Sequence, residues 1–337
     1  MLNHYTDTVE RMILVTTGNG IGRAISGVEQ SWRSNTVLQG QDVRCLAADP
    51  LERGIVYAGT QGNGVFRSVD CGETWQAAGL SGQVVTSLAA SPHQPGLLYA
   101  GVRPAAMHVS ADGGITWSEL RGFRDIPNRF WWFSPAEKPW QAYVQAITLS
   151  PADPDLLLAG IEFGATIRST DGGRTWSGHL DGSLRDCHCL TFHATDGEWV
   201  YEAGGTGGGA SLSRDGGRSW RKMKAGLAKH YGVACAADPE HPEIWYLSVA
   251  PNPGKAYGSE PEAYLYRASG GAEWQPIGWQ GQPMDEMPIA LAIDRTAPGH
   301  LYAGTTAGHI YHTADYGDQW QQLPLSFPSI WRTMLVI

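Results

Sequence analysis

Short apolar runs recur along the whole chain, each cut off by Gly, Pro or Asp before a helical period can establish itself. Runs of that length, rich in Val, Ile, Leu and Tyr and bounded by turn formers, predict β-strands. They fall into an ordered set. One class (43–47, 84–89, 144–149, 188–192, 233–236 and 289–293) leads into a Pro-containing turn such as Ala-Asp-Pro-Leu-Glu-Arg-Gly at 48–54. A second class (56–59, 98–101, 157–160 and 301–304) ends in Tyr-Ala-Gly or a variant. A Gly-rich loop and a third run follow.

The third run ends in a recurring octapeptide. Ser-Val-Asp-Cys-Gly-Glu-Thr-Trp at 68–75 returns as SADGGITW at 110–117, STDGGRTW at 169–176 and SRDGGRSW at 213–220, and more loosely as TADYGDQW at 313–320. A sixth copy, ending at Trp274, has lost the Asp, and a seventh survives only as Gln30-Ser31-Trp32. The closing tryptophans at 32, 75, 117, 176, 220, 274 and 320 are spaced by 43, 42, 59, 44, 54 and 46 residues, a four-stranded period with two insertions. The 17 residues after Trp320 and the first 32 residues together supply one more period.

A four-stranded unit of this kind cannot bury both faces alone, so the units must stack into a ring. The expectation is an all-β, seven-bladed β-propeller occupying 1–337. Its blades would span 42–78, 84–119, 144–179, 187–222, 231–276 and 287–322, and a composite built from 330–337 with 11–34. The composite follows from strand counting. The run 330–337 matches an inner strand without a blade, while 12–16 and 21–25 match second and third strands without an inner one. Pairing them removes two sheet edges. Within the octapeptide, Asp is expected to accept backbone hydrogen bonds, Gly to supply positive φ, and Trp to pack between sheets. Asp70, Asp112, Asp171, Asp215 and Asp315 therefore read as turn residues and not as catalytic carboxylates.

Composition narrows the function classes. The chain holds 43 Gly and 14 Trp in 337 residues, is 42% hydrophobic and 17% charged, and carries a formal net charge of −9. An acidic surface without a basic run disfavours nucleic-acid binding. No stretch approaches the length of a membrane span, and the N-terminal residues lack a basic start before an apolar run, so neither a membrane nor a secretory route is expected. Cys45, Cys71, Cys187, Cys189 and Cys235 are odd in number and form no disulfide framework, which suits reduced thiols and a cytoplasmic location.

The octapeptides at 68–75, 110–117, 169–176 and 213–220 resemble the BNR/Asp-box repeat superfamily, and the resemblance runs through nearly the whole chain. That superfamily includes sialidases, xyloglucanase-type glycoside hydrolases, sortilin-type receptors and photosystem II assembly factors, so membership implies the fold and leaves the activity to the loops. Sialidases begin with an Arg-Ile-Pro element and have six blades. Here the nearest string is Arg124-Asp125-Ile126-Pro127, inside a loop, and the sialidase assignment is rejected. Xyloglucanase-type enzymes are similar in their Leu-Tyr-Ala-Gly and Asp-box phrasing but use two propellers facing a cleft. Assembly factors are similar in size and blade number but are normally exported.

In a propeller the Asp-box and Pro turns share one face, and ligands sit at the channel mouth on the other. Both insertions, 120–143 and 250–263, belong to that second face. The first is rich in aromatics and places Trp131, Trp132 and Trp140 there, as a plug, a ligand wall or a partner-binding patch. The second reads as a lid. Inner-strand starts point Asp42, Arg44, Thr86, Tyr143, Gln145, Asp186, His188, His230, Tyr231 and Arg332 at the mouth, and loops add Asn63, Arg103, Glu162 and His309. His188 beside Asp186 is the candidate acid–base pair, and Arg44 and Arg332 can hold an anionic or carbonyl group. The alternative is a water-filled polar channel. Cys187-His188-Cys189 is not expected to be a metal site, because neighbours along a strand point to opposite sides. The run from Gly204 to Gly209 reads as a loop turn, since no helix follows to make it a phosphate cradle. No cofactor and no metal are expected.

Two functions follow. One is a small-molecule or saccharide-binding propeller, with hydrolase or lyase chemistry at the mouth under the aromatic insertion. The other is a non-catalytic interaction or assembly scaffold that holds a protein partner on the loop face. A deep pocket with converging acid and base groups favours the first, and an open apolar patch the second.

Overall fold

A computed structural model describes residues 11–27, 31–135, 138–205, 207–270 and 273–337. It places seven antiparallel sheets in a ring, with successive inner strands in contact all the way round. Blade one is the composite. Its inner strand Met334–Val336 pairs with Met12–Thr16, followed outward by Ile21–Ser26 and Trp32–Val37. Met12 N–H donates to Ile337 O at 2.9 Å and Ile337 N–H returns the bond at 3.0 Å, so the last residues lock the first sheet.

Blades two and three begin at Val43–Ala48 and Val84–Ala90, and blades five, six and seven at Cys187–Phe192, Tyr231–Ala237 and Pro288–Ile293, each with four strands. Blade four has three: Val144–Leu149, Leu157–Ile161 and Ala165–Ser169. Its outer edge is reduced to Ser177, whose N–H donates to Arg168 O and whose hydroxyl accepts from Arg168 N–H.

The Asp-box behaves identically in five blades. The hydroxyl of Ser68, Ser110, Ser169, Ser213 or Thr313 donates to the Asp at 2.7–2.8 Å and accepts a glycine N–H at 2.8–3.0 Å. Each Asp also accepts the backbone N–H four residues on, at 2.9 Å in all five copies. Hydrogen bonds from Thr116 and Ser110 hold the Asp112 carboxyl down at about 2. These carboxylates are committed to their turns. The tryptophans close each motif by donating Nε1–H to the last glycine, and Trp117 also reaches Ala78 O of the preceding blade at 2.8 Å. The second-strand tyrosines Tyr57, Tyr201, Tyr246 and Tyr302 are fully buried between blades. Asp-box and Pro turns are bonded to each other, as Cys71 N–H to Gly54 O and Gly113 N–H to Gly96 O, which puts both on one face.

One feature recurs in the inner strands. In blades two to seven the ladder slips at the second or third residue, leaving Arg44, Thr86, Gln145, His188, Val233 and Ile289 as β-bulges. A bulge turns the extra residue out of the alternation. All six line the central channel, and four of them are polar. Strict alternation therefore does not hold at His188, although the outcome for its neighbours is unchanged. Cys187 Sγ lies against Cys189 O and Cys189 Sγ against Cys235 O, so both thiols are turned to backbone carbonyls.

Candidate functional site

The bulges bring Arg44, Thr86, Gln145 and His188 to the floor of a cavity of about 510 Å³ at the channel mouth opposite the Asp-box face. Its walls add Arg103, Tyr143, Glu162, Asp186, Tyr231 and Arg332. Ten residues expected at the site thus share one cavity: Arg44, Thr86, Arg103, Tyr143, Gln145, Glu162, Asp186, His188, Tyr231 and Arg332.

Seven others do not line it: Asp42, Asn63, His230, His309, Trp131, Trp132 and Trp140. His230 lies one residue before Tyr231 in the loop entering blade six, half-buried, with its carbonyl accepting Gly209 N–H. Trp132 is half-buried and packs edge-on to Phe123, 5.8 Å between centroids, beneath the Arg129 guanidinium. Trp131 and Trp140 are 67% and 57% exposed. The first insertion is therefore divided. Phe123 and Ile126 anchor it in the core, Trp132 plugs, and Phe130, Trp131 and Trp140 face outward. Sequence reasoning missed Phe163, Tyr257, Trp331 and Pro253, which also line the cavity. Tyr257 comes from the second insertion, just beyond the helical turn Pro253–Ala256, and its ring meets Tyr231 and Trp331 at 6.5 and 6.4 Å.

At the inner end His188 Nδ1 lies 2.7 Å from Gly232 O, so that nitrogen carries the proton and donates it. Nε2 then faces Asp186 Oδ1 at 3.4 Å. Burial pulls the imidazole toward its neutral form, but the Asp186 and Glu162 carboxylates and the Gly232 carbonyl outweigh it and hold the proton above the ordinary range. Burial pushes the Glu162 carboxyl up against the opposing pull of His188 and Arg332. Arg332, on blade one, reaches across the channel to blade four, donating to Gln145 Oε1 at 3.0 Å and Tyr143 Oη at 3.4 Å. Arg44 donates to Asp42 at 2.9 Å, and its buried Nε has no acceptor among the described residues.

The glycine run after blade five's second strand makes this packing possible. A Cβ at Gly205 would lie 2.3 Å from Asp186 Oδ2, 2.7 Å from Tyr231 Cε2 and 2.8 Å from His188 Cε1. Among the described residues, Glu162, Asp186 and His188 form the one group of carboxylate and imidazole donors close enough to share a cation, their donor atoms lying within 4.8 Å of one another.

This ring of sheets, with its five intact Asp-box turns, is a seven-bladed β-propeller, and the BNR/Asp-box repeat family matches it over residues 108–119, one of those turns. Among solved structures it is similar to the GH74 xyloglucanase from Xanthomonas campestris, with 20% identity and a TM-score of 0.71, over 92% of this chain and 52% of the enzyme. The chain thus spans about half the length of that enzyme. It is also similar to YCF48 bound to D1 peptide, with 16% identity and a TM-score of 0.61, over 89% of this chain and 86% of that one. YCF48 from Cyanidioschyzon merolae aligns at 12% identity with a TM-score of 0.58, over 84% of both chains. At such identities the likeness is one of fold. No curated protein sequence matches the chain. No helix among the described residues is long and apolar enough to cross a membrane.

Proposed function

We propose that the chain binds a small polar ligand of saccharide type in the cavity at the channel mouth. The observation that carries this reading is the make-up of the walls. Rings of Phe163, Tyr257 and Trp331 stand around the opening, and charged or amide groups of Glu162, Asp186, His188, Arg44, Gln145 and Arg332 converge below them. Aromatic faces over fixed donors and acceptors suit a molecule with an apolar face and a hydroxylated rim. The volume of about 510 Å³ holds one or two sugar rings. The xyloglucanase likeness agrees with a carbohydrate ligand without specifying one. The Asp186–His188 pair and Glu162 are placed to move a proton at a bound hydroxyl or leaving group, so hydrolysis and elimination are the reactions to assay.

The test is calorimetric titration with neutral and acidic mono- and disaccharides, repeated on His188→Ala and Arg332→Ala. Binding by the parent and at least tenfold weaker binding by both variants is expected. Binding unchanged in both folded variants ends the proposal.

A second reading has its own observation. Phe130 and Trp131, 75% and 67% exposed, meet as tilted rings with centroids 5.2 Å apart, on the same insertion as the exposed Trp140. Exposed aromatics grouped in this way suit a protein or peptide partner on the loop face, and one YCF48 neighbour carries a D1 peptide. Replacing Phe130, Trp131 and Trp140 with Ser would abolish partner capture and leave saccharide titrations unaltered if both readings hold.

A further inference from the structure

We infer that Glu162, Asp186 and His188 form a divalent-cation site at the inner end of this cavity. Glu162 follows blade four's second strand, while Asp186 and His188 flank the start of blade five's inner strand, so two adjacent blades converge on one point. A carboxylate oxygen from each acid and an imidazole nitrogen fall within 4.8 Å of one another. Asp186 Oδ1 and His188 Nε2 are 3.4 Å apart. Two ligands about 2.1 Å from a metal at a tetrahedral angle stand about 3.4 Å apart, so this pair already has the right bite. Glu162 lies at most 4.8 Å from the other two donors and has to close toward about 3.4 Å when an ion binds.

Three further facts point the same way. His188 Nδ1–H is tied to Gly232 O, the outer contact that fixes the tautomer of a metal-binding histidine and bares Nε2. The Asp186 and His188 side chains are 4% and 6% exposed, and Glu162 is equally buried, so two carboxylates sit away from water. Arg332 directs its hydrogen bonds to Gln145 and Tyr143, which are neutral, and acts on Glu162 through its charge alone. Two carboxylates and one imidazole, without thiolate, suit a borderline or hard ion such as Zn²⁺ or Mn²⁺. Three protein ligands leave coordination positions open toward the cavity, where a hydroxyl or carbonyl oxygen of a ligand can enter. A bound ion would occupy Nε2, so in that state His188 is a ligand and not a base. The inference deepens the saccharide reading by naming what meets the ligand's oxygen, and the two can fail separately.

The full chain, treated with chelator and dialysed, is titrated with ZnCl₂ and MnCl₂ by calorimetry, with bound metal counted by atomic absorption. One equivalent per chain is expected, weakened at least tenfold in Glu162→Gln and His188→Ala. His241→Ala, at an exposed histidine, leaves it unchanged. Absence of saturable binding, or full binding by both variants, overturns the site. If His188→Ala fails to fold, the Co²⁺ spectrum of the parent decides. Weak visible bands alone agree with oxygen and nitrogen ligands, and an intense near-ultraviolet thiolate band places the ion on Cys189 or Cys235 and overturns the assignment. Saccharide binding by metal-free chain would leave the ligand reading standing even if no ion binds.

Discussion

Glu202 offers the most direct quantitative test of the packing between blades. It lies on the second strand of blade five, Val200–Gly204, with no solvent exposure. Thr166 Oγ1 of blade four donates to one carboxylate oxygen at 2.6 Å and Leu184 N–H to the other at 2.8 Å. Burial raises its pKa from 4.5 to about 7, and these two bonds recover only part of the cost. The folded chain therefore binds this proton more tightly than the unfolded chain. Stability from this site is complete below about pH 4.5, falls as pH rises through 7, and is flat above. At about 1.4 kcal/mol for each pH unit of the gap, the ionised carboxylate costs roughly 3 kcal/mol. Glu202→Gln keeps the shape and mimics the protonated form, with Oε1 accepting Leu184 N–H and Nε2 donating to Thr166 Oγ1. At pH 8 the variant should be more stable than the parent by up to roughly 3 kcal/mol, and the difference should shrink toward zero near pH 4.5. Urea unfolding of both chains at several pH values, followed by tryptophan fluorescence, measures the difference. A gap that does not vary with pH, or a variant less stable at pH 8, refutes the reasoning.

Other perturbations follow from the same contacts. Ser110→Ala removes the hydroxyl that accepts the buried Gly114 N–H and steadies Asp112, and should cost about 1–3 kcal/mol in the same unfolding assay. Deleting residues 330–337 removes the inner strand of blade one with the buried Ile330 and Met334, and should cost at least about 4 kcal/mol, seen as a lowered melting temperature and aggregation on size exclusion. Gly205→Ala drives a methyl group into Asp186, Tyr231 and His188, and should weaken metal and saccharide titrations together while lowering stability by about 1–3 kcal/mol.

The architecture was legible because each blade repeats the same solution to the same problem. A period of closing tryptophans, a buried tyrosine in five of the second strands and a hydroxyl–Asp–Gly turn in five blades are local devices, and local devices leave local spellings. The composite blade was legible by counting strands that lacked partners. The site was legible to the extent that bulges sit at a fixed place, since Arg44, Thr86, Gln145 and His188 occupy equivalent positions near the start of four inner strands. It was not legible where one step of backbone decides direction. Tyr231 enters the cavity while His230 does not. Trp131 and Trp140 lie near the mouth in sequence, but the 3₁₀ turn Arg129–Trp131 directs aromatic rings outward and the buried Phe123 takes the anchoring role. Tyr257 and Trp331 reach the site through loop conformation, for which no pattern exists. Glu202 did leave a signal: it stands where Ala58 and Ala159 stand in their blades, a carboxylate in place of a buried methyl group.

The positions where the repeat is broken coincide with the polar centre, and this carries a functional argument. Ring stability asks only that every blade present small or apolar residues to the channel, as blades six and seven do with Val233 and Ile289 at their bulges. Blades one to five instead supply Arg332, Arg44, Thr86, Gln145 and His188. Bringing buried charge to a channel wall opposes folding unless each group is matched, and here the matching crosses blades: Arg332 of blade one to Gln145 and Tyr143 of blade four, and His188 of blade five to Gly232 of blade six. Both insertions open onto the same mouth, contributing Pro135, Pro253 and Tyr257 to its rim. A water-filled channel would need none of these departures. Their convergence on one cavity supports the proposal that this end of the ring holds the ligand.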